Sequence, residues 1–142
     1  MPFVLLIVAK AAMACPDLTG QFACITDDMT EDLTIRQTLD GYLPSYDMNG
    51  AKFLVDNQDH QIASDDPGFK NAVVHISCTE TTLSRHLTAD FFDNQVKVGS
   101  IDTTLEFSVQ NNALVEVTSG KMTNSQGDTP LDDQITCKRE SL

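Results

Sequence analysis

Arg85 is the charged residue whose position in the chain promises chemistry. Leu83, Arg85, Leu87, Ala89 and Phe91 alternate with Thr82, Ser84, His86, Thr88 and Asp90, so in a strand the guanidinium shares the apolar face. An inward Arg can hold a ligand carboxylate through a bidentate pair. The competing readings are a side chain that reaches solvent near a strand end, or one paired with an internal acid. His60, His75 and His86 occur singly, outside any metal-ligand spacing, so no metal site is expected. His75 shares its parity with Val73 and reads as a hydrogen-bonded core residue. Ser77 stands nearby, yet nothing resembles a nucleophile elbow. The acidic runs Asp27–Asp32 and Asp56–Asp59 lack the spacing and central Gly of a calcium loop, and solvated turns account for both. No catalytic residue and no cofactor is assigned, and a non-enzymatic role is expected. A hydrolase working with paired carboxylates is the enzymatic alternative.

A frame must position Arg85, and a periodicity of two supplies it. Leu33, Ile35 and Leu39 alternate with Thr34, Arg36 and Thr38, while Thr103, Leu105, Phe107 and Val109 alternate with Thr104, Glu106 and Ser108. Strands are expected at about 18–26, 32–40, 51–56, 60–64, 72–79, 82–92, 95–101, 103–110, 113–121 and 132–139. Between them lie turn formers such as Asp27-Asp28, Asp40-Gly41, Asn49-Gly50, Asp93-Asn94 and Asn111-Asn112, and Asn124–Asp133 is expected to be a mobile loop. The fold class is all-β: an antiparallel up-and-down meander of about 8–10 strands closing into a barrel or barrel-like sandwich. A single open sheet would leave an apolar face and two edges exposed.

The 142 residues make one domain, and the formal charge of −12 argues against nucleic acid and anionic membrane as partners, since both call for clustered Lys and Arg. A monomer is expected. Phe3–Ala9 is apolar but too short to span a bilayer, and Ala12-Met13-Ala14 has the small-x-small pattern of a cleavage site. Residues 1–14 therefore read as a signal peptide and 15–142 as a single disulfide-stapled β domain. The only positive side chain of the leader, Lys10, follows the apolar run, and a buried segment of a cytosolic domain is the alternative. Four cysteines suit an oxidising space, so a bacterial periplasmic or extracellular location is expected.

If residues 18–24 are extended, the ends of that stretch lie roughly 20 Å apart, whereas a disulfide needs Cα atoms within about 7 Å, which disfavours Cys15 with Cys24. Closure that sets the start of the first strand beside the end of the last predicts Cys15 with Cys137 and Cys24 with Cys78. The competing fate for Cys15 is lipidation, since it directly follows Ala14, although one thiol would then stay unpaired.

Leu18-Thr19-Gly20-Gln21-Phe22 resembles the opening strand of the lipocalin and avidin-like barrels, with Phe22 where those families carry Trp. Cys15–Cys24 also looks like the start of small cysteine-paired exported proteins of predatory and environmental proteobacteria. The resemblance implies a ligand-carrying barrel. The chain has no Trp, so a Trp-walled biotin pocket is not carried over. The resulting expectation is an exported binding module for a small, anionic apolar ligand held at Arg85. The alternative is a structural or protein-interaction module with a side-chain-filled core.

Overall fold

The computed structural model describes residues 14–140, all strand, turn and loop. The strands are β1 (Gly20–Thr26), β2 (Met29–Asp40), β3 (Leu43–Met48), β4 (Ala51–Leu54), β5 (Asp59–Ile62), β6 (Phe69–Cys78), β7 (Leu83–Asp93), β8 (Val96–Gln110), β9 (Ala113–Asn124), β10 (Gly127–Pro130) and β11 (Asp133–Arg139). Tight hairpins follow from residues that tolerate left-handed backbone: φ is positive at Asp27 and Asp28, Asn49 and Gly50, Asn94 and Gln95, and Asn111 and Asn112. Such paired left-handed residues match the twist of the strands they join.

One antiparallel sheet results, in the order β4-β3-β2-β1-β11-β9-β8-β7-β6-β5, with β10 added to the far part of β9. The first and last strands are neighbours, as the meander expectation requires. Hydrogen bonding does not run full circle: β4 and β5, consecutive in the chain, are the two edges. The short Val55–Gln58 link between them bonds to both sides, from Val55 N to Pro44 O (2.9 Å) and from Asn57 N to Ile76 O (3.2 Å).

Three expectations about elements are corrected. β3 lies where no strand was expected. Pro44 is a poor ladder member, yet alternation with Tyr46 and Met48 buries one face. Residues 124–133 form the β9–β10 hairpin and the start of β11 instead of one loop. The two segments expected at 95–101 and 103–110 are the single strand β8, because Asp102 points outward without interrupting the ladder.

The expected disulfide pairing is also overturned. Cys24 bonds Cys137 (Cα–Cα 4.2 Å) and Cys15 bonds Cys78 (Cα–Cα 5.3 Å). The adjacency of β1 and β11 was the right premise, but their register sets Cys24 directly opposite Cys137. Cys15 lies upstream of β1, where the entering chain crosses the end of β6. In this structure the Cys15 sulfur is engaged in that bridge. The leader expectation concerns residues that, apart from Ala14, lie outside those described.

Register puts Phe22, Ile35, Tyr46, Leu83, Phe107 and Leu114 on one face, and these form the core with Leu18 and Val55. At one end the entering segment caps this core: Leu18 is fully buried, and the buried Tyr46 hydroxyl donates to Pro16 O at 2.6 Å. Burial pushes the Tyr46 pKa up to about 12, so the phenol stays a donor throughout the physiological range. Tyr46→Phe strands that carbonyl without its partner and should cost about 1–3 kcal/mol of unfolding free energy. Urea unfolding checks this. A loss near zero would show that solvent reaches the cap.

Candidate ligand site

At the end of the sheet opposite the cap, the same inward face opens into a cleft of about 280 Å³, lined by Leu33, Met48, Phe53, Phe107 and Ile135 together with the carboxylates of Glu31 and Glu116. Seven strands contribute to this wall, β1 through Cys24 and Thr26, and the ladder explains how its charged residues come together. Phe107 lies opposite Glu116 and Glu116 opposite Ile135, while Cys24 links Cys137 on one side to Glu31 on the other. The Phe53 and Phe107 rings meet edge to face at 6.4 Å, although β4 and β8 lie far apart in the sheet order. The sheet therefore curls over this face.

Arg85 stands where its alternation places it. It lies opposite Ile76 on one side and Leu105 on the other, in register that is unbroken from Leu83 to Thr88 in both ladders, so it shares the inward face. Its guanidinium sits 5.9 Å from the centre of the Phe53 ring. Its Nε is buried without a hydrogen-bond partner. Glu116 lies on the same face. Burial raises its pKa, Asp133 and Glu31 add to the rise, and Arg85 opposes it. Arg85 thus acts on Glu116 through space, but among the described residues no ion pair joins them. The cleft itself is bounded by two carboxylates and two phenyl rings, and Arg85 adjoins it through the Phe53 ring without lining it.

Glu116 and Glu31 were missed as site residues. Glu116 alternates with Val115 and Val117, a pattern that by itself reads as an outward charge, and only the pairing with Phe107 shows otherwise. His75 departs from the core expectation in another way. It is hydrogen-bonded, to Asp59, but on the outer face of the sheet. A second groove, about 460 Å³, runs along Gly20, Ile35, Arg36 and Arg139. It is the weaker candidate because the Arg139 guanidinium is already engaged, donating to Thr19 O at 3.0 Å and stacking 4.8 Å over Phe22. No helix among the described residues is long and apolar enough to cross a membrane.

No protein-family model, no curated protein and no solved structure matches this chain.

Proposed function

We propose that the curled sheet is a barrel with one unbonded seam, between β4 and β5, and that its open end binds a small apolar ligand through a charged head group. The observation that carries this reading is the Arg85–Glu116 arrangement: opposite charges on one largely apolar inner face, influencing each other without an ion pair. A desolvated carboxylate and a buried N–H without an acceptor both cost stability, so a pure scaffold has no use for them. The anionic ligand expected from Arg85 alone is extended here, because Glu31 and Glu116 line the cleft that Arg85 adjoins. A head group bearing both an acid and an amine fits best, with the acid toward Arg85, the amine toward Glu116, and an aromatic or branched tail against Phe53 and Phe107. The cleft volume suits a molecule of amino-acid size. Two disulfides fit an oxidising compartment, and a role in capturing or carrying such a molecule in the periplasm or outside the cell follows.

Calorimetric titration with L-phenylalanine, phenylacetate and 2-phenylethylamine tests the head-group reading. The amino acid should bind at least about tenfold more tightly than either single-charge analogue, roughly the value of one charge-assisted hydrogen bond. Arg85→Ala and Glu116→Gln should each remove that advantage. Equal binding of all three, or none, would favour a filled module that meets other proteins through its sheet edges.

Glu116 also makes a stability prediction. A folded pKa raised above the unfolded one means that the ionised carboxylate penalises folding at neutral pH. Glu116→Gln should therefore raise the unfolding free energy at pH 7. That gain fades as pH falls through the raised pKa and is absent below the ordinary carboxylate range, where both states are protonated. Urea midpoints across pH 4 to 8 would show it, and a destabilised variant at pH 7 would mean that Glu116 supports the fold.

A further inference from the structure

On the outer face, away from the cleft, four titratable side chains form one row across four strands. Asp59 lies opposite His75, and His75 opposite His86. Asp102 on β8 shares this face, since His86 is in register with Thr104 and Asp102 is one alternation away. Asp59 Oδ1 is 2.8 Å from His75 Nδ1, and Asp102 Oδ1 is 2.7 Å from His86 Nε2.

The protonation pattern follows from those two contacts. A carboxylate can only accept, so His75 donates from Nδ1 and His86 from Nε2. In the neutral imidazoles the remaining nitrogens, His75 Nε2 and His86 Nδ1, each keep a lone pair. Cross-strand partners bring Cβ atoms to about 4.5–5.5 Å, a spacing that one metal ion bonded at about 2.0–2.1 Å to each ring can bridge. A carboxylate on the far nitrogen of a ligating histidine fixes its tautomer and increases its basicity, and here both histidines have one. We propose that His75 and His86 form a surface site for a divalent transition-metal ion, with Asp59 and Asp102 as the positioning residues behind the two rings.

Among the described residues no three such side chains converge on one point, so water or a partner's ligand completes the coordination. Imidazole donors select copper, nickel and zinc over calcium and magnesium, with copper(II) bound most tightly. His60 supplies an internal control. It lies in register with Val74, on the opposite face from His75, with Nε2 bonded to Asp56 and no histidine as its cross-strand partner. The site shares no residue with the cleft, so either proposal can fail alone.

The test is titration of untagged, oxidised protein with Cu²⁺, Ni²⁺ and Zn²⁺, in excess Mg²⁺ to occupy scattered carboxylates. One equivalent should bind, in the order Cu²⁺ above Ni²⁺ and Zn²⁺. His75→Ala and His86→Ala should each weaken binding by at least about tenfold, and Asp59→Asn and Asp102→Asn by about 10–100-fold, the range for such supporting carboxylates. His60→Ala should leave it unchanged. Both imidazoles are partly exposed, with side-chain accessibilities of 34% and 46%, so the variants should fold, and metal-free urea midpoints verify that. Unchanged affinity in the His75 and His86 variants, an equal loss in His60→Ala, or full competition by Mg²⁺ would overturn the site.

Discussion

Replacing Cys24 and Cys137 together by Ala should lower the unfolding free energy by about 4–5 kcal/mol, the largest effect expected of any change in this chain. The bridge spans 113 residues, the longer of the two loops, so its removal frees the most conformational entropy in the unfolded state. It also reinforces a thin place in the sheet. β1 meets β11 through three ladder pairs, whereas β1 meets β2 through seven. Without the bridge, the β1–β11 junction itself is held only by side-chain packing and a few hydrogen bonds, while Cys15–Cys78 and the Val55–Gln58 link tie the two halves elsewhere. The pair is self-contained, since both sulfurs are nearly or fully buried, and Ala leaves only small cavities. Urea unfolding of oxidised wild type against the double variant measures the loss. A decrease under about 1 kcal/mol would mean that the unfolded chain stays compact without the link.

Phe22→Ala should cost about 3–5 kcal/mol. Phe22 is fully buried, sits between Leu33 and Arg139 in register, and carries the Arg139 guanidinium over its ring. Truncation removes the ring from the core and the platform from under a cation whose Nε is buried without a partner. Cavity and desolvation penalties then act together. Phe22→Leu, which keeps most of the volume, should lose about half as much. Thermal and urea midpoints of the two variants, compared at equal pH, check both magnitude and order. Equal losses would show that the aromatic face over Arg139, not the filled volume, is what matters.

These effects bear on how much of the molecule the sequence disclosed. Alternation at Leu33–Leu39 and Thr103–Val109 was enough for strands, and the Asp, Asn and Gly pairs were enough for most hairpins. The inward face of Arg85 was also legible, since no bulge interrupts β7 before Phe91. Local pattern failed where pairing partners decide the outcome. Pro44 hid β3 because a proline lowers strand expectation. Cys24 could be assigned to Cys137 only once the β1–β11 register was known. Glu31 and Glu116 look like ordinary surface acids until Cys24 and Phe107 are seen beside them. The His75–His86 row is legible only as a register across β6 and β7, because no short spacing rule joins two histidines on neighbouring strands.

The two bridges overlap along the chain, one reaching from Cys15 to Cys78 and the other from Cys24 to Cys137. No single scission of the backbone between Cys15 and Cys137 can therefore liberate a fragment. A cut in the exposed Asn57–Gln58 link would leave the two pieces joined twice, so a nicked molecule would gain only the mass of one water and come apart only after reduction.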